Sequence, residues 1–106
     1  MAEQEIWLIY STFKNRAEAL SVAQTLLEKR LIACANVHDG VTSLYRWQGA
    51  ITQEKEVALT AKTRKEKLQA TMDEIRAVHS YELPCIVAYP VTEGLPEFLQ
   101  WVINET

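Results

Sequence analysis

Ala50-Ile51-Thr52-Gln53-Glu54-Lys55-Glu56-Val57-Ala58-Leu59-Thr60-Ala61-Lys62 runs without a glycine or a proline. In its second half Val57, Leu59 and Ala61 alternate with Ala58, Thr60 and Lys62. A period of two is the mark of a strand with two different faces. At ~3.3 Å per residue the segment reaches about 43 Å, longer than the strands expected beside it. Just upstream, Val41, Ser43, Tyr45 and Trp47 alternate with Thr42, Leu44, Arg46 and Gln48, and Gly49 permits a reversal. The hairpin from Val41 to Glu56 therefore overhangs a compact sheet. Tyr45, Trp47 and Ile51 then stand on an edge that is a liability unless another chain covers it. Closed symmetry among copies is the usual remedy. Trp47, beside the Gln48-Gly49 turn, is expected to fill a pocket on a neighbouring subunit.

The flanking sequence supplies the rest of the sheet. Ile6 to Tyr10 is a short apolar run bounded by Ser11 and Thr12, which reads as a buried strand. Asn15 precedes Glu18 by three, a capping-box spacing, and Ala19, Leu20, Ala23, Leu26 and Leu27 follow with helical periodicity. Lys29 and Arg30 fall in the last turn, where cations suit the helix dipole. Ile32 to Val37 reads as a strand and Asp39-Gly40 as a turn. Thr63 and Glu66 repeat the capping-box spacing ahead of Leu68, Met72, Ile75 and His79. Cys85 to Tyr89 is another strand, with Pro90 at its end or on an edge. Pro96 suits the first turn of a last helix with Leu95, Phe98, Leu99 and Val102 on its apolar side. The expected fold is α/β (α+β): a ferredoxin-like βαββαβ with an extended β-hairpin and a C-terminal helix, as one domain over residues 1–106.

Composition excludes several classes of function. The chain is 48% hydrophobic and 24% charged, as an ordinary globular domain is. A net charge of −3 and a pI of about 5.4 give no general attraction to nucleic acid. No run approaches the ~20 apolar residues of a membrane span. The start, Met1-Ala2-Glu3-Gln4-Glu5, is acidic where a signal peptide is basic. Cys34 and Cys85 lie in apolar runs and read as buried free thiols of a cytoplasmic protein.

Signals for chemistry are sparse. Three glycines, Gly40, Gly49 and Gly94, cannot build a phosphate-cradling loop. Cys-x-x-Cys, His-Glu-x-x-His and Gly-x-Ser-x-Gly are all absent, so no enzyme is expected. Thiolate and imidazole are available for a soft or borderline ion from Cys34, Cys85, His38 and His79. Cys34 and His38, four apart on one strand, stand about 13 Å apart and cannot share an ion. A weak site around His79 competes with a simple helix-end histidine. Lys62, Arg64, Lys65 and Lys67 crowd the start of the second helix, where an anion would relieve their conflict with the dipole. Tyr45, Trp47, Tyr81 and Trp101 have the polar handle that suits interfaces and half-buried sites.

Taken together, these segments resemble the CutA divalent-cation tolerance family. The similar stretches are Arg30-Leu31-Ile32-Ala33-Cys34-Ala35-Asn36-Val37, Ser43-Leu44-Tyr45-Arg46-Trp47-Gln48-Gly49, Glu56, Lys62-Thr63, His79-x-Tyr81-x-x-Pro84 and Leu99-x-Trp101. The resemblance implies a ferredoxin-like homotrimer, sealed by strand pairing between subunits. It also implies a cytoplasmic or organellar protein linked to tolerance of copper and other divalent ions. Animal members of the family are associated with anchoring acetylcholinesterase. No cofactor is required; copper or another divalent cation is the expected ligand. The resemblance implies the copper ligands attributed to some members, a cysteine ending the first strand and two adjacent histidines after the second helix. Here Ser11 stands in place of the cysteine, Val78 replaces the first histidine, and His79 remains, with Ser80 where proline is usual. His79 is thus the main metal candidate and Cys34 a second one. Cys34, Glu56, Lys62, Tyr81 and Trp101 match family positions that line a cleft between subunits. By fold-level analogy alone, a PII-like signalling trimer binding a small anionic ligand is the alternative.

Overall fold

The computed structural model describes residues 5–106, so the acidic start at Met1–Gln4 lies outside the described residues. Its elements are β1 (Ile6–Phe13), α1 (Arg16–Glu28), β2 (Cys34–Trp47), β3 (Ala50–Arg64), α2 (Lys65–Val78), β4 (Ile86–Pro90) and α3 (Pro96–Glu105). The four strands form one sheet in the order β2-β3-β1-β4, and every neighbouring pair is antiparallel. This is the expected ferredoxin-like βαββαβ, with the additional helix at the C-terminal end. Among the described residues no helix is long and apolar enough to cross a membrane.

The core follows from the alternation. Ile9 and Phe13 of β1 and Leu59 and Ala61 of β3 are buried with Ala19 and Leu26 of α1 and Ile75 of α2. Each large apolar side chain fully removed from water there contributes roughly 1.5–3 kcal/mol. A smaller cluster joins Ile6, Ala33 and Val102, with Leu99 of α3 against it.

Three local expectations change. Asp39-Gly40 is not a turn between strands. β2 runs unbroken through it, and between the pairs His38–Ala58 and Val41–Glu56 two residues oppose one. This is a β-bulge, with Gly40 at φ +74°, a left-handed backbone that glycine adopts without strain. Thr63 and Glu66 do not cap α2. Arg64 holds the N-cap position without a side-chain bond, while Thr63 is buried and its hydroxyl donates to the Leu31 carbonyl at 2.6 Å. A partner in the connection between α1 and β2 outcompetes the local one. Finally, α1 ends at Glu28, so Lys29 is its cap and Arg30 leaves in a left-handed conformation at φ +55°. At its other end, the Asn15 Oδ1 accepts from the Glu18 N–H at 2.8 Å, as the spacing predicts.

The hairpin overhangs as its length demands. β1 pairs with β3 only from Val57 to Arg64, so Ala50–Glu56 has β2 as its single neighbour. The reversal sits at Gln48 and Gly49, φ +48° and +83°, between the paired Trp47 and Ala50. Two positive φ values make the mirror-image turn whose twist suits paired strands.

Candidate functional site

Directly opposed residues of an antiparallel pair point to the same face. Val41–Glu56, Ser43–Glu54, Tyr45–Thr52 and Trp47–Ala50 therefore share one face of the hairpin. Ile51 opposes Arg46 and points the other way, away from Tyr45 and Trp47. The hairpin, with Leu44 and Arg46 as well as the Tyr45 face, forms one wall of a groove of about 840 Å3 that Tyr10, Thr12, Tyr81, Glu82, Leu83 and Cys85 also line.

The deepest acid in the groove is Glu56, 9% exposed. Its Oε2 accepts the Tyr81 phenol at 2.7 Å. Burial, and then this bond to Glu56, hold the Tyr81 phenol well above the ordinary tyrosine range. Burial and Glu54 push the Tyr45 phenol up, and burial with the neighbouring Cys85 and Glu56 does the same to Tyr10. The Cys85 thiol is raised by burial and by Glu56. All four groups respond to Glu56, and Tyr45 and Tyr81 to Glu54 as well, so the groove is a region of negative potential.

His79 sits behind this groove. Its ring stacks on Phe13, centroids 4.4 Å apart. The Tyr81 N–H can only donate, so Nδ1 accepts it at 3.1 Å; Thr12 O can only accept, so Nε2 donates to it at 2.8 Å. The partners thus assign the Nε2–H tautomer, and both ring nitrogens are engaged. An ion reaching Nδ1 must displace the Tyr81 N–H. Ser11, where the family pattern has a cysteine, is buried and donates to the Cys85 carbonyl at 2.7 Å. It ties β1 to the entrance of β4.

The structure gathers Tyr45, Trp47, Glu56 and Tyr81, with His79 adjoining. It does not bring Cys34 to them, and it leaves Cys34 half-buried and Cys85 exposed where the apolar runs predict buried thiols. Cys34 opposes Lys62 near the far end of β3, level with Leu8, whereas His79 lies by Thr12 and Phe13. Lys62 donates to Asn36 Oδ1 at 3.2 Å. Trp101 is on α3 beside Phe98, centroids 5.6 Å apart, and is 41% exposed. The basic cluster is spread out: Arg64 donates to Thr106 O at 3.0 Å, and the Lys65 ammonium lies 4.8 Å from the Trp7 ring centroid. Among the described residues no three His, Cys, Asp or Glu side chains converge as an ion would require. Sequence reading missed Glu54 and Tyr10, and it weighed Cys85 only as an ion ligand, not as part of this groove. Glu54 was detectable, since it is two residues from Glu56 on an alternating strand; the other two reach the groove only through the β1–β3 and β1–β4 pairings.

Residues 7–105 match the family described as CutA1 divalent ion tolerance protein. The chain belongs to the CutA family. The Divalent-cation tolerance protein CutA of Archaeoglobus fulgidus is 46% identical over 98 residues, covering 92% of this chain and 94% of that one. Its Thermus thermophilus counterpart is 38% identical over 103 residues, 97% and 98% of the two chains. The crystal structure of CutA from Xylella fastidiosa superimposes with a TM-score of 0.93 at 37% identity, covering 95% of this chain and 97% of that one. The family description names tolerance of divalent ions and no reaction.

Proposed function

We propose that the chain is a homotrimeric, metal-responsive binding protein of the cytoplasm that holds copper or another divalent ion weakly and catalyses no reaction. The observation that carries the metal reading is the sign of the groove. Glu54, Glu56 and Glu82 line it against a single cation, Arg46. The ligand shell within one chain is incomplete, and His79 must exchange the Tyr81 N–H for an ion, so affinity is modest. The PII-like alternative draws less support, because Lys62, Arg64 and Lys65 each already have a partner. The free thiols of Cys34 and Cys85 suit a reducing compartment.

The trimer draws support from the open side of β2. This strand has one sheet neighbour, so its other edge offers unpaired backbone groups along Cys34–Trp47. An apolar trough of about 480 Å3 between α1 and β2, walled by the exposed Leu20 and Leu27, runs beside that edge. Calorimetric titration with copper and zinc tests the metal reading. Weak binding that His79→Ala abolishes is expected; binding that survives this substitution places the ligands elsewhere.

A further inference from the structure

Tyr81 is held at two points. Its N–H donates to His79 Nδ1 at 3.1 Å, and its phenol donates to Glu56 Oε2 at 2.7 Å. It lies between α2 and β4, outside every helix and strand, so no ladder of backbone bonds fixes its main chain. His79 is fixed from the other side. Its ring stacks on Phe13 with centroids 4.4 Å apart, and Nε2 donates to the Thr12 carbonyl of β1 at 2.8 Å. Of these two residues, Tyr81 is the one that can move.

An ion and the Tyr81 N–H compete for the single lone pair of Nδ1. A zinc ion bonds an imidazole nitrogen at ~2.0–2.1 Å. On the 3.1 Å line from Nδ1 to the Tyr81 nitrogen, that position leaves only about 1 Å to the amide, so the Tyr81 backbone must withdraw. The phenol rides on the same Cα, and its ring already lies against His79 with centroids 4.8 Å apart. A hydrogen bond of 2.7 Å is lost once it is stretched beyond ~3.5 Å. Withdrawal of the backbone therefore takes the phenol from Glu56.

We propose that Tyr81 couples two sites: a divalent ion on His79 Nδ1 displaces the Tyr81 N–H, and the same displacement lifts the phenol off Glu56. One residue masks both the imidazole lone pair and a nine-tenths buried carboxylate in the ion-free chain, and ion binding uncovers both. The inference rests on the metal reading above and supplies its means of response. Occupancy at His79 becomes a freed carboxylate at the root of the hairpin, where β3 leaves β1. Such coupling is reciprocal, so whatever holds the phenol on Glu56 weakens the ion.

The test is zinc calorimetry on the full chain, with Tyr81→Phe and His79→Ala beside the wild type. Tyr81→Phe keeps the N–H and removes the phenol bond, so the ion no longer has to break it. Zinc should bind Tyr81→Phe about fivefold more tightly than the wild type, the fold-change that one net hydrogen bond represents. In the wild type, hydrogen exchange at the Tyr81 amide, followed by NMR, should speed up at saturating zinc; this readout stands alone should Tyr81→Phe fail to fold. Two results overturn the coupling while leaving the metal reading in place, provided His79→Ala still abolishes binding. One is unchanged or weaker zinc affinity in folded Tyr81→Phe, and the other is a Tyr81 amide whose exchange zinc does not alter. No zinc binding by the wild type, or binding that His79→Ala leaves intact, overturns the metal reading and the coupling with it.

Discussion

From Val57 to Lys62, β3 lies between β1 and β2, and Val57, Ala58, Leu59 and Ala61 are buried. From Ala50 to Glu56 the same strand has one neighbour; Ile51 is 73% exposed, and on the facing strand Leu44 is 65% exposed. One continuous strand thus passes from a finished core to an unfinished edge within a residue or two. The first half is stabilised inside a single chain. The second half keeps its shape with apolar side chains in water, and such a surface is stable in isolation only at the risk of pairing with another molecule. The groove lies where the two halves meet, at Glu56.

Substitutions in the two halves should fail differently. Phe13, fully buried and stacked on His79, belongs to the finished half. Phe13→Ala should cost about 3–5 kcal/mol, seen as a large fall in melting temperature. Trp47 is at the tip of the unfinished half and 39% exposed in one chain. Trp47→Ala should cost about 2–4 kcal/mol per site, read as loss of assembly by size-exclusion chromatography with light scattering. Unchanged assembly would assign Trp47 to the groove and not to a subunit contact.

Tyr81→Phe probes the junction. It removes the phenol donor to Glu56 and should cost about 1 kcal/mol at neutral pH. The folded phenol holds its proton longer than the unfolded one, so this stabilisation is complete below the unfolded value of about 10 and is lost as pH rises above it. The gap in melting temperature between wild type and Tyr81→Phe should therefore narrow as pH climbs past that value. A constant gap would mean that the phenol is not raised.

The smallest effect concerns Cys85. Burial and Glu56 raise its thiol, so it should alkylate more slowly than a free cysteine at mildly alkaline pH, although its side chain is accessible. Peptide mapping by mass spectrometry after iodoacetamide should show faster labelling in Glu56→Gln.

The element order and the overhang were legible because they depend on alternation and length alone: the breaker-free run from Ala50 to Lys62 outreaches the strands beside it. The bulge at Gly40 was not, since Asp39-Gly40 carries the composition of a turn and only the pairing of β2 along β3 shows the strand continuing. Thr63 likewise looks like a cap until the Leu31 carbonyl, in the connection before β2, takes its hydroxyl. At the site, Tyr45 and Tyr81 stood out as aromatics with a polar handle, and Glu56 through the resemblance. Tyr10 did not, and Cys85 did only as an ion ligand, because strands distant in sequence bring them to the groove. Sequence reading also ranked His79 first as an ion ligand, and it could not see that the Tyr81 N–H and the Thr12 carbonyl occupy both ring nitrogens.

The central claim is that copies of the same chain finish what the hairpin leaves open. Sedimentation equilibrium at micromolar concentration tests it most directly. The account predicts a species of three times the 12.1 kDa chain mass, without stable monomer below it. A stable folded monomer of 12.1 kDa, with the hairpin intact, would contradict it.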